Sequence, residues 1–163
     1  MMLSKKIINF FLILSFIFTI DRLSKIYILK YFELNSSEIY LTSFLNLILV
    51  WNKGIGFGLL SFEGSVVYNF ITFFIFIVIL ILFIVGVKYD QKNGYFYMII
   101  IGGALGNLFD RIFYKAVPDF IDFHIGEFHW FVFNVADIFI TIGVIIMILF
   151  ESILNEQKKN EHI

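Results

Sequence analysis

Four long apolar runs constrain this chain more than any other feature. Ile7 to Leu29 carries no charge besides Asp21, Arg22 and Lys25; Val66 to Val87 carries none; Tyr95 to Phe109 is uncharged and continues into Asp110 and Arg111; Trp130 to Phe150 carries only Asp137. A helix rises ~1.5 Å per residue and the hydrocarbon core of a bilayer is ~30 Å thick, so about 20 apolar residues cross it. The fold expected is an all-α integral membrane protein with four transmembrane helices, at about 7–29, 66–87, 95–113 and 130–152. These form one membrane domain over residues 1–163, with outer segments at about 30–65 and 113–129.

Composition agrees. Hydrophobic residues make up 60% and charged residues 15%, with a mean hydropathy of +0.92, whereas soluble domains carry ~25% charge. A water-soluble enzyme is excluded. With 12 Lys+Arg against 13 Asp+Glu no basic surface exists to neutralise a phosphate backbone, so nucleic acid is not a partner. Without cysteine there is no disulfide, thiolate nucleophile or thiolate metal ligand, and His124, His129 and His162 show none of the spacings that bind zinc. No metal and no organic cofactor are expected.

The first run follows Lys5 and Lys6 as a secretory signal would, but Thr19-Ile20-Asp21-Arg22 offers no small-x-small exit and the apolar pattern resumes at Ile26. It is expected to stay as helix 1. Loop cations set the orientation: Lys5, Lys6, Lys88, Lys92, Lys158 and Lys159 fall on one side, against Lys30, Lys53 and Lys115 on the other. Both termini are therefore expected in the cytoplasm. The Lys88 to Gly94 turn then lies inside, and Lys30 to Ser65 and Phe113 to His129 face outward. In the first outer segment, Glu38 to Leu41 and Phe44 to Val50 are rich in aromatic and β-branched residues, and Lys53-Gly54-Ile55-Gly56-Phe57-Gly58 supplies turn glycines, so short strands resting on the bilayer are expected. The polar Asn155 to Ile163 tail should fray.

Ionisable residues within a bilayer are costly and mark function by default. Here they gather at one end: Asp21, Arg22 and Lys25 at the outer end of helix 1, Asp110 and Arg111 at that of helix 3, and Asp137 at the outer start of helix 4. Asp21 and Lys25 are spaced i,i+4, and Asn107, Asp110 and Arg111 i,i+3,i+4, which reads as structural ion pairs with Asp110 beside Arg111. Gly102, Gly103 and Gly106 permit close helix packing. Asp119 and Asp137 differ, because neither has a cation within helical reach. Pro118 ends helix 3 and places Asp119 on a turn. Two facing carboxylates would share one proton, since like charges ~3 Å apart cannot both ionise. One could then activate water while the other protonates a leaving amine. A small proton-coupled transporter is the alternative, because carboxylates and lysine in a bundle also mark ion paths. Against it, the cytoplasmic half of helices 2 to 4 holds no Asp, Glu, Lys or Arg short of Glu151 at the very end of helix 4, so no continuous path is visible.

Five blocks, in order, carry a family resemblance: Asp21-Arg22-Leu23-Ser24-Lys25, Asn52 to Gly58, Gly102-Gly103-Ala104-Leu105-Gly106-Asn107-Leu108-Phe109-Asp110-Arg111, Val117-Pro118-Asp119-Phe120-Ile121-Asp122 and Phe133-Asn134-Val135-Ala136-Asp137. The chain resembles the lipoprotein signal peptidase (signal peptidase II) family. The resemblance implies a bacterial inner-membrane aspartyl endopeptidase whose site lies near the outer face. It implies removal of the signal peptide from diacylglyceryl-modified prolipoproteins, before the lipidated cysteine, with membrane lipid as surroundings and no obligate protein partner. It implies Asp119 and Asp137 as the catalytic pair, and Asp21, Lys25, Asn52, Gly54, Asn107, Asp110, Arg111, Asn134 and Ala136 as residues that shape the site or bind substrate. Pro118 and Arg22 depart from the family pattern, which commonly has an aliphatic residue and Gln there.

Overall fold

Inside a bilayer a single segment satisfies every backbone N–H and C=O internally only as a helix, so the parts of the apolar runs that cross it are expected to be helical. The structure, a computed structural model, describes residues 2–35, 37–54, 65–88 and 91–161. In chain order it comprises α1 (Met2–Leu34), β1 (Ile39–Thr42), β2 (Leu45–Asn52), α2 (Ser65–Lys88), α3 (Gln91–Phe113), β3 (Val117–Ile125), β4 (Phe128–Phe133) and α4 (Val135–Glu161). All 4 helices are long and apolar enough to cross a membrane.

The least apolar of the four spans is the central one. In α3, 56% of the spanning residues are buried, against 17%, 11% and 11% in α1, α2 and α4, and α3 packs on all three. Its small residues explain this: a Cβ on Gly103 would stand 2.5 Å from the Ala136 carbonyl oxygen, and one on Gly106 would run into the Asp21 carboxylate. Backbones that close exclude lipid and hold the helices by dispersion. Phe10, Ile79, Tyr97, Met98, Ile101 and Leu108 fill the contact among α1, α2 and α3. The exposed faces carry Phe11, Phe16, Phe70, Phe73, Ile145 and Leu149, a surface that lipid accepts and water would not.

The strands form one antiparallel sheet in the order β1-β2-β3-β4. β1 and β2 occupy the segment where strands were expected; the second outer segment, read only as a connection, supplies the other two. Asp119 lies on β3, not on a turn. Pro118 is accommodated because β3 pairs only with β2 there, β4 joining from Ile121 onward, so its missing N–H costs no ladder bond. Helix 4 begins at Val135 and not near Trp130: Phe128–Phe133 is a strand, its aromatic and β-branched residues having lengthened the apolar run that length alone read as helix. α1 runs past Leu29 to Leu34, where Asn35 bonds the Tyr31 carbonyl through both its backbone N (2.9 Å) and Nδ2 (3.1 Å). The tail expected to fray is helical as far as Glu161, in keeping with the helix-forming Glu156, Gln157, Lys158 and Lys159. Ile55 to Gly58, residues 89–90 and His162 lie outside the described residues.

The glycine contacts make a prediction. Gly103→Ala drives a methyl into backbone, which cannot turn aside, and should cost about 1–3 kcal/mol. Gly102→Ala meets Ile17 Cβ at 2.9 Å and Cγ2 at 3.1 Å, a wider approach than the 2.5 Å at Gly103 and one to apolar atoms, and should cost less. Thermal unfolding in detergent reads the order, and equal melting temperatures would contradict this account of α3.

Candidate active site

Charge neutrality organises the site. Asp21, Lys25 and Asp110 are wholly buried, and Lys25 Nζ reaches Asp110 Oδ2 at 2.7 Å, Asn107 Oδ1 at 2.8 Å and Asp21 Oδ2 at 3.0 Å. Two of its ammonium donors bond Asp110 and Asn107, and Asp21 adds a second neutralising carboxylate. Arg22 adds the second positive charge, with Nη1 at 2.6 Å from Asp110 Oδ1 and Nη2 at 3.2 Å from Asp21 Oδ2, its guanidinium lying over the Phe109 ring. Two acids and two bases cancel. The expected Asp21–Lys25 pair is present; the expected Asp110–Arg111 pair is not. Adjacent residues on a helix point about 100° apart, so Asp110 faces α1 while Arg111 Nη2 turns to the Gly54 carbonyl. Arg22, expected among the charges at the outer end of helix 1 and also a departure from the family pattern, belongs to the cluster.

The cluster positions α4. Asp21 Oδ1 accepts the Ala136 backbone N–H at 3.0 Å, satisfying from another helix one of the orphan donors of the first turn. Asn134 and Asp137 satisfy two more reciprocally: the Asp137 N–H reaches Asn134 Oδ1 at 3.2 Å and the Asn134 N–H reaches Asp137 Oδ2 at 3.1 Å. This is a capping box with Asp in the place of the usual Glu or Gln, and it locks the Asp137 carboxylate on the bundle side of the helix start.

Each carboxylate of the candidate pair is then held by amides that have no freedom to flip. Asn134 Nδ2 donates to Asp119 Oδ1 at 2.6 Å and Asn52 Nδ2 donates to Asp119 Oδ2 at 2.9 Å. Asn107 Nδ2 donates to Asp137 Oδ1 at 2.8 Å. In every case the amide oxygen is engaged elsewhere: Asn52 with the Gly54 N–H at 2.9 Å, Asn107 with Lys25, and Asn134 with the Asp137 N–H. Gly54 thus receives Arg111 on its carbonyl and gives its N–H to Asn52. Strand pairing brings these groups together, since Val50 stands opposite Asp119 and Asn52 opposite Val117.

Asp119 and Asp137 line one cavity of about 290 Å³ with Asn52, Asn107, Arg111 and Asn134. A second cavity of about 460 Å³, walled by Phe123, Trp130, Phe131, Phe133, Ile138 and Ile142, shares Asp137 and Thr141 with it. An apolar chamber therefore adjoins a polar one at a carboxylate. Burial first, and then the charge of Asp137, push the Asp119 carboxyl up from 3.8 to about 6, so it holds a proton far more readily than a solvated aspartate. Trp51 lies against Tyr114 with ring centroids 5.9 Å apart.

Comparison with known proteins finds relatives over most of the chain. The family model described as signal peptidase (SPase) II matches residues 13–153. The lipoprotein signal peptidase of Pelagibacter ubique (strain HTCC1062) is 55% identical over 157 residues, covering 94% of this chain and 95% of the relative. That of Anaplasma phagocytophilum (strain HZ) is 39% identical over 143 residues, covering 86% and 89%. A bacterial membrane enzyme solved by the in meso method at 2.3 Å matches with a TM-score of 0.66 and 28% identity over 93% of this chain and 90% of its own.

Two expectations follow from the electrostatics. Lys25→Met leaves two buried carboxylates facing one guanidinium and should cost about 3–5 kcal/mol, read as a fall in thermal stability in detergent. For Asp119, a carboxyl raised from 3.8 to about 6 on folding stabilises the fold fully below the unfolded value, and that stabilisation is lost as pH rises through about 6. The wild-type melting temperature should decline between roughly pH 4 and 7 more steeply than that of Asp119→Asn. Parallel curves would refute the raised value.

Proposed function

The chain belongs to the signal peptidase II family, and on that premise we propose that Asp119 and Asp137 are the catalytic pair of an aspartyl endopeptidase. Its substrates are diacylglyceryl-modified prolipoproteins, cut immediately before the lipidated cysteine. The single observation that carries this reading is Asn134, which holds both carboxyls: its Nδ2 donates to Asp119 Oδ1 and its backbone N–H donates to Asp137 Oδ2. Two carboxyls held that way around one cavity, one of them prone to keep its proton, are equipped to work as acid and base. The Asp137 carboxylate removes a proton from water as the oxygen attacks the scissile carbonyl carbon, and Asp119 gives its proton to the carbonyl oxygen. When the tetrahedral intermediate collapses, Asp137 passes its proton to the departing amine and Asp119 regains one from the diol hydroxyl.

Lipid specificity follows from the adjoining apolar cavity. Each buried CH₂ contributes about 0.8 kcal/mol, so acyl chains set among α4, β3 and β4 fix the depth of the peptide and bring its bond level with the acids. Asp21, Lys25, Asn107, Asp110, Arg111, Asn134 and Ala136 position the pair from the helices, while Asn52 and Gly54 do so from the sheet. Both termini lie in the cytoplasm of a bacterial inner membrane and the site faces outward, an orientation supported by the loop cations. No carrier function is proposed, because the buried charges meet at one end of the bundle and their family is a peptidase family.

Asp119→Asn and Asp137→Asn should each lower cleavage of a lipidated precursor by at least ~10²-fold, because an amide keeps the shape but cannot exchange a proton. The check is turnover in detergent micelles with insertion and folding verified; near-wild-type turnover of either variant would remove it from the pair. In the same micelles a precursor lacking diacylglycerol should be cut far more slowly than its lipidated form, and equal rates would mean that the anchor is not recognised.

A further inference from the structure

Two of the histidines whose spacing matches no metal motif meet in space. His124 and His129 stack with ring centroids 5.1 Å apart and an interplanar angle of 25°. Both direct Nδ1 at the Asp122 carboxylate: His129 Nδ1 lies 2.8 Å from Asp122 Oδ2 and 3.0 Å from Oδ1, and His124 Nδ1 lies 3.6 Å from Oδ2. The three ligand atoms lie within 4.8 Å of one another.

A register shift in the hairpin makes this meeting possible. From Ile121↔Phe133 to Phe123↔Phe131 the β3–β4 pairing is regular, and then Trp130 is passed over, so that His124 faces His129. In a regular hairpin His124 would face Trp130 and His129 would sit on the other side of the sheet, because side chains alternate with period 2. The bulge thus gathers Asp122, His124 and His129 on one face, and the tight turn that follows has Gly126 at φ 59°.

We propose that Asp122, His124 and His129 bind one divalent cation of the zinc class and that the ion staples the β3–β4 hairpin. Two imidazole nitrogens and a carboxylate oxygen are a donor set that zinc and its first-row neighbours accept. Ligand atoms around one zinc ion stand roughly 3–4 Å apart, given metal–ligand distances of about 2.0–2.2 Å; the 3.6 Å separation falls in that range and the 2.8 Å one just below it.

Hydrogen bonding alone leaves the cluster incomplete. A proton between His129 and Asp122 does nothing for His124 Nδ1, which is buried without a hydrogen-bond partner. Asn46 stands opposite Asp122 on β2, so on the same face, and its Oδ1 is also buried without a partner. A cation draws on all three ligands and offers that amide oxygen, directly or through water, a positive charge to face. The His129 side chain is 54% exposed, which gives an ion a way in from solvent. The role is structural and separate from the acid pair: Phe123, Phe131 and Phe133 of the same hairpin wall the apolar cavity beside Asp137, and a staple on the hairpin would keep that wall rigid.

The test uses the full chain, without a polyhistidine tag, purified in detergent, stripped with chelator and dialysed. Zinc chloride is titrated calorimetrically, cobalt(II) is followed by its visible absorption, and melting is recorded with and without zinc. The expected result is about one zinc per chain, an imidazole-type cobalt band and a raised melting temperature. His129→Ala, at an exposed position that does not threaten folding, should weaken binding by more than ~100-fold and abolish the thermal shift, since even loss of a group behind a ligand costs roughly 10–100-fold. His124→Ala should do the same and Asp119→Asn should bind as wild type. Absence of stoichiometric binding to the wild type overturns the proposal. So does undiminished binding by His129→Ala, which would place the ion on other carboxylates. Neither result bears on the peptidase reading, because binding and melting are read here and cleavage is not.

Discussion

A buried lysine that must be neutralised holds this molecule together. Removing an ammonium from water costs several kcal/mol even after relaxation, and Lys25 recovers that cost only because three oxygens from two helices converge on it. Its demand fixes how α1 meets α3. It also leaves two carboxylates whose combined charge exceeds that of Lys25 alone, and Arg22 supplies the balance. Everything nearer the candidate pair hangs from this cluster: Asp21 holds the first turn of α4 through Ala136, and Lys25 turns Asn107 so that its N–H₂ meets Asp137.

The start of α4 joins packing to chemistry. A helix beginning at the edge of a bilayer has backbone donors that must be satisfied, and here they are met by side chains that also shape the site. Asn134 caps the helix and bonds Asp119; Asp137 closes the capping box and stands in the polar cavity. Removing either side chain would disturb helix and site together. The arrangement also stores a cost, since Asp119 is kept buried beside a second carboxylate and titrates near 6. Such a group is unfavourable for stability at neutral pH and useful to a reaction that needs a proton held ready.

The sheet contributes reach. Asn52 and Asp119, 67 residues apart, become neighbours because β2 and β3 pair, and the aromatic face of the β3–β4 hairpin brings an apolar wall to the same place. Helices alone would supply only Asp137, because Asp119 is carried by β3. With the sheet, a polar cavity and an apolar one meet at Asp137.

Hydrophobic run length and the cost of intramembrane charge are local properties, so the number of helices, the gathering of charge at one end and the separate standing of Asp119 and Asp137 are legible in the sequence. The ordered blocks from Asp21 to Asp137 carry the family in the same way. Partner choice is not local. Spacing suggested Arg111 for Asp110, and the fold chose Lys25 and Arg22, because which face of α3 meets α1 depends on glycine packing that no single helix displays. Strand and helix could not be told apart at Phe128–Phe133 by apolar length, and Pro118 implied a turn because the missing β4 neighbour at that position is a fact of register. The histidines beside Asp122 were invisible for a like reason: one bulged residue moves His129 from one face of the sheet to the other. What the sequence determined by itself is which residues must leave water and which cannot do so unpaired; which of them pair was decided only by tertiary structure, because pairing depends on distances between segments far apart in the chain.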